Sequence, residues 1–384
     1  MRPHPFILAL LILGLASPLA TAGSQTPFGA TVDVTGPATP ETPSEQRQVT
    51  VAREYQLALA ARLAVDPDPR RKMTAAYFLK ATERADAFRE RSGQAKAASI
   101  LHPDAPSPDA NELVRAALRQ GWDDPLLLWM AIADCPASAA ACDAPAALAR
   151  LREIEPENAA NWLFPSSAQG ADAVQGTLAD AADADKRLAA IAESTRVNMH
   201  YADLLRLFVD AVSVAPVPDA VLAITEPPES DPEIVQLTYA SGMSMAVAWP
   251  SIGKLTERCR GEAVAVGGEH LRQLCREAMT VLHQQADTVL IDIFASRTLL
   301  EVLPEGAEKE AIRQAQRNRR WQVAAGTELM LGAGDGSISD NVRVQMQDIL
   351  KLVNDPEATE ISHLRDRLVA AGVSLEAPAD WTEQ

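Results

Sequence analysis

The chain has 384 residues, 47% of them hydrophobic and only 4% aromatic, with a formal net charge of −17. That length exceeds one ordinary core and fits two domains or a repeat array. So acidic a surface repels nucleic-acid phosphates and anionic lipid, which excludes both as partners.

The first residues have the form of a secretory signal peptide over 1–22. Arg2 is the positive start, Phe6 to Leu15 the apolar run, and Ala20-Thr21-Ala22 the small-residue cleavage site. The apolar run is too short to span a bilayer comfortably, and no later run is long enough, so no membrane span is expected. Loss of Arg2 with the leader takes the charge from −17 to −18. No cysteine follows the apolar run, so lipid modification is not indicated. Ala-rich composition and a short leader point to a bacterial exported protein, periplasmic or secreted. Residues 23–46 hold Thr35-Gly36-Pro37-Ala38-Thr39-Pro40-Glu41-Thr42-Pro43 and read as a disordered linker.

From there on the apolar residues recur at helical spacing. Ala and Leu dominate, both strong helix formers, and β-branched alternation is scarce. Leu205, Phe208, Val209 and Val212 fall at i, i+3, i+4 and i+7. Leu271, Cys275, Ala278, Leu282, Ala286, Val289 and Ile293 form one stripe, predicting a helix over 263–303. Further helices are expected over 306–331, 338–354 and 356–371. Asp124-Pro125, Asp231-Pro232, Asp355-Pro356 and Ser107-Pro108 place a capping side chain before a proline at the first helical position. Gly121 and Gly372 follow periodic runs, where a left-handed residue ends a helix. The expected fold class is all-α. An antiparallel helix-hairpin array over 47–248 is followed by a helical bundle over 249–384, with the boundary near Trp249-Pro250-Ser251.

Four cysteines agree with export. Their spacing favours disulfides Cys135–Cys142 and Cys259–Cys275 among the three pairings possible, and matches no zinc module.

Pro156-Glu157-Asn158-Ala159-Ala160-Asn161-Trp162, with Ala168 six residues on, resembles a tetratricopeptide repeat, its second helix falling around Ala173–Ala184. Pro165 inside the first helix and a shortened connection depart from that pattern. The likeness covers some 35 residues, with no clean second copy. It implies degenerate helix pairs on either side, over 111–135 and 196–215, and a concave groove for a protein or peptide partner. Trp122, Trp129 and Trp162 are the aromatics best placed in such an array, and at least two are expected in its core. The whole chain also resembles exported helical-repeat proteins of proteobacteria, a likeness that carries no activity with it.

Several groups carry candidate chemistry. Ser251-Ile252-Gly253-Lys254 and Ser339-Asp340-Asn341 are similar to two motifs of penicillin-binding proteins and β-lactamases, which would make Ser251 a nucleophile and Lys254 its activator in a cell-wall hydrolase. The third motif, Lys-Thr-Gly, is absent, and helix caps account for both groups. Glu360 and His363 have the spacing of a di-iron ligand pair without the second pair it needs. His270 and His283 are about 20 Å apart along one helix, too far to share a metal. Gly332-Ala333-Gly334-Asp335-Gly336 lacks the strand and lysine of a phosphate loop and reads as a connector. No cofactor is expected. Arg313, Arg317, Arg319, Arg320 and Trp321 cluster on one helix, read either as a docking patch or as a solvated face paired with Glu305, Glu308 and Glu310. The function expected is therefore binding: an exported scaffold or assembly factor for another envelope protein. The rivals are the serine hydrolase and a purely structural envelope protein.

Overall fold

A computed structural model describes residues 42–91, 109–134, 143–165, 178–224, 231–247, 249–250, 252–331 and 338–382. Among the described residues the chain is all-α, with 15 α-helices and no strand. These residues form two compact units, one from the described parts of 1–134 and 204–248 and the other from the described parts of 135–203 and 249–384. The leader, most of the linker, Cys135, Cys142, Ser107-Pro108, Ser251 and the Gly332–Gly336 stretch lie outside the described residues. None of the described helices is long and apolar enough to cross a membrane.

The first unit opens with a hairpin of helices Pro43–Ala64 and Pro69–Arg91. The first helix begins within the stretch read as linker, because Thr42 and Glu45 form a reciprocal cap. The Thr42 hydroxyl accepts from the Glu45 N–H at 3.2 Å, and the Glu45 carboxylate accepts from the Thr42 N–H at 2.7 Å. Helices Ala110–Gln120, Pro125–Asp134 and Pro232–Ala246 complete the frame, joined by the Leu204–Ser213 part of the Tyr201–Ser213 helix. Scarce aromatics are concentrated in this core. Phe208 lies 5.4 Å from the Tyr77 ring and 5.9 Å from Phe78, and Tyr239 contacts Tyr55 and Phe78. Three of the chain's four tyrosines are thus spent on one cluster, whose edge-to-face packing adds to plain burial.

Caps read from sequence act here as expected in part. Asp124 accepts from the Leu126 N–H and also pairs with Arg70 at 2.6 Å, and Asp231 accepts from the Glu233 N–H. Gly121 is not left-handed, with φ −128°; a Cβ there would require the end of the Leu127 side chain to shift. Trp129 is buried, at 2% exposure, whereas Trp122 is 37% exposed.

In the second unit, the segment that resembles a tetratricopeptide repeat forms no α-helix over Pro156–Pro165. It makes one 3₁₀ turn, Ala159–Trp162, and the next helix is Leu178–Glu193. Asn158 is the reason. Fully buried, it caps the turn by accepting from the Ala160 N–H, and it exchanges two bonds with the backbone of Asn198. Its side chain is therefore committed to a neighbouring segment instead of a helix surface. Trp162 lies under Arg152, whose guanidinium is 4.2 Å from the ring centroid.

The Gly261–Gln284 helix is interrupted at Gly268, with φ 67° and ψ −158°. A straight helix would set Cys275 about 21 Å from Gly261. The Cα atoms of Cys259 and Cys275 are instead 5.6 Å apart and joined by a disulfide, so the chain turns back on itself at Gly268. The helix expected over 263–303 also ends at Gln284 and restarts at Val289, because the Asp287 side chain is drawn away to the Met199 N–H. Asp355-Pro356 forms a turn, and the last helix, Glu360–Ala370, is capped by Thr359 and Ser362. Gly372, at φ 71°, is left-handed as expected.

Candidate functional site

The Ala307–Leu331 helix carries Arg317, Asn318, Trp321 and Gln322, whose i, i+1, i+4, i+5 spacing puts them on one face. All four grip the main chain of the non-helical segment 374–381. Trp321 Nε1 donates to the Ser374 carbonyl and Gln322 Nε2 to the Leu375 carbonyl, each at 2.8 Å. Arg317 donates to the carbonyls of Ala377 (3.2 Å), Pro378, Ala379 (3.3 Å) and Trp381 (2.9 Å). Asn318 Oδ1 accepts from the Ala377 N–H at 3.1 Å. The Trp381 ring packs edge-on to Trp321 at 6.0 Å, with the Arg317 guanidinium 5.7 Å from its centroid. Beneath lies an apolar floor of Ala325, Leu364 and Leu368, against which Trp321 and Leu375 pack.

The strip is positioned from below. Asp292, 3% exposed, accepts from Arg319 Nε at 2.5 Å and bonds His283 Nδ1 at 2.5 Å. Arg319 in turn donates to Gln322 Oε1 at 2.8 Å, which leaves the Gln322 amide N–H to point at Leu375. Burial opposes the Asp292 anion, but the bond from His283 and the charge of Arg319 outweigh it and hold the carboxyl below its ordinary range.

The arginine patch read from sequence is thereby divided. Arg317 and Trp321 belong to the strip, and Arg319 supports it from the interior. Arg313 pairs with Glu305 at 2.8 Å and Glu310 at 3.0 Å on the surface, while Glu308 pairs with Arg276. Arg320 lies on the same helix. Asn318 and Gln322 were missed, since uncharged amides leave no mark on a charge pattern.

A second polar cluster lies buried around His200. The residue is 3% exposed with a left-handed φ of 55°. Its ring is 3.3 Å from Glu155 Oε2 and 3.4 Å from Asp203 Oδ2. Burial disfavours the His200 cation, yet bonding to Asp203 and Glu155 raises its pKa overall. Burial also opposes the Glu155 anion, which bonds from His200 and Asn158 and the charge of Arg196 nevertheless hold down at about 2. Asp287 differs: burial pushes it up to about 7, although its Oδ2 accepts from the Met199 N–H at 2.6 Å. A group raised in the folded state contributes stability that is full below its unfolded pKa and lost as pH rises through the folded value. Asp287 therefore favours the folded state below about 4 and costs stability through pH 7. Asp287→Asn should gain about 2 kcal/mol relative to the parent between pH 5 and pH 8, read from urea unfolding at each pH. An unchanged difference at the two pH values would refute the assignment.

The remaining residues singled out in the sequence are not brought together. Lys254 lies in the Gly253–Arg258 helix, and Ser339, Asp340 and Asn341 open the Ile338–Asn354 helix. Glu360 accepts from the Val289 N–H, whereas His363 bonds Asp348 at 3.0 Å, so the two serve different partners. His270 is exposed on its helix and His283 is engaged by Asp292. Among the described residues no three His, Cys, Asp or Glu side chains are placed to hold a metal ion. No known family model, curated protein or solved structure matches this chain.

Proposed function

We propose that the chain is an exported, all-α protein of the periplasm that binds a non-helical segment of another envelope protein, without a cofactor. One observation carries this reading: four side chains on a single helix face satisfy the main-chain polar groups of a non-helical segment. Side chains that bond carbonyls and an N–H, with an arginine and an indole at the centre, are the chemistry of peptide-segment recognition. The Cys259–Cys275 bridge supports an oxidising compartment.

The test is a cross-linked pull-down of the tagged mature protein from intact cells, read by mass spectrometry. An envelope protein should be enriched by the parent and lost with Arg317→Ala, the variant's fold being checked by circular dichroism. Enrichment of the same proteins by both, or background alone, would contradict the reading.

A further inference from the structure

Resting on that reading of the strip, we infer that residues 374–381 are a resident competitor that shows what the partner looks like: a non-helical, acidic segment with a proline and a following tryptophan. The sequence Ser374-Leu375-Glu376-Ala377-Pro378-Ala379-Asp380-Trp381 carries two acids and no base. It lies against the helix that displays Arg317, whose guanidinium bonds the carbonyls of Ala377, Pro378, Ala379 and Trp381. A turn closed by the Trp381 N–H on the Pro378 carbonyl at 3.0 Å aims that ring at Trp321.

Two features make the segment displaceable. None of residues 374–382 is fully buried: Leu375 and Trp381, which anchor the segment, are only half-buried, and weakly buried segments open most readily. The bonds that hold it run from fixed side chains to main-chain groups, which any segment of like course can offer. A partner segment would offer its own carbonyls and an N–H to the same four side chains, with the covalently linked copy opposing it at high effective concentration.

The experiment uses a fluorescent peptide copying residues 374–382 and reads anisotropy against full-length protein. Trp381→Ala removes the ring contact that seats the resident copy. The peptide should then bind on the order of tenfold more tightly than to the parent, as a larger fraction of sites stands open. Arg317→Ala combined with Trp381→Ala should abolish binding; Asn318→Ala replaces Arg317→Ala if the latter fails to fold. No tightening with Trp381→Ala, or binding indifferent to both strip variants, overturns the inference. If the peptide fails while the pull-down still loses its partner with Arg317→Ala, the binding function stands and the resident-competitor idea alone falls.

Discussion

Asp292→Ala should lower the unfolding free energy by about 4 kcal/mol, the cost of removing one partner from a buried ionic triad. The carboxylate is 3% exposed and is shared by His283 and Arg319 at 2.5 Å each. Its loss leaves a guanidinium and an imidazole without their common anion in a site with little water to replace it. The same change frees Arg319, and with it the amide of Gln322 that holds the Leu375 carbonyl. Asp292→Ala should thus also raise hydrogen exchange at 374–381 more than Asp348→Ala does, although Asp348 makes a similar triad with His363 and Arg367. The Asp292 carboxyl is depressed in the folded state, so its contribution is present above the ordinary carboxylate pKa and is lost as pH falls through the depressed value. Urea titration at neutral pH measures the first effect. A loss below about 1 kcal/mol, typical of a surface pair, would remove the triad from the account of the fold.

Removal of the Cys259–Cys275 bridge, as Cys259→Ser with Cys275→Ser, should cost about 3 kcal/mol by release of loop entropy to the unfolded chain. The two cysteines are 16 residues apart in sequence and bracket Gly268. The glycine has the conformation, φ 67° and ψ −158°, that is essentially closed to other residues. Gly268→Ala should therefore destabilise as well, by about 1–3 kcal/mol, and the two losses should fall short of additive because both act on one reversal of the chain. Thermal unfolding of the oxidised parent against the double serine variant measures the first loss. An oxidised parent that melts no higher than the double serine variant would mean that the bridge does not restrain the unfolded chain.

Helix content was legible because Ala and Leu repeat at helical spacing and Asp124, Asp231 and Gly372 punctuate the runs. The stripe from Leu271 to Ile293 misled for a physical reason. Period alone cannot separate one long helix from two joined by the tight turn of Gln285–Thr288, when neither glycine nor proline marks the break. Asp355-Pro356 carried a cap signal but forms a turn, and the true cap, Thr359 with Ser362, lies four residues on. The tetratricopeptide-like opening at Pro156 was overridden by Asn158, whose bonds to Asn198 span forty residues that no local pattern contains. The arginine cluster marks the helix whose side chains bond segment 374–381. Charge counting could not tell Arg317, turned to main-chain carbonyls, from Arg319, turned to a buried carboxylate, because that difference rests on partners at 374–381 and at Asp292.

The most direct test of segment binding places a photo-cross-linking phenylalanine analogue at Gln314, exposed one turn before Asn318 and bonded to it at 2.9 Å. The same probe at Arg272, on a different helix, is the control. After irradiation of intact cells exporting each variant, the Gln314 probe should form one discrete adduct with an envelope protein, and Arg317→Ala should abolish it. Adducts that are absent, or identical from both positions, would contradict a binding role for this helix face.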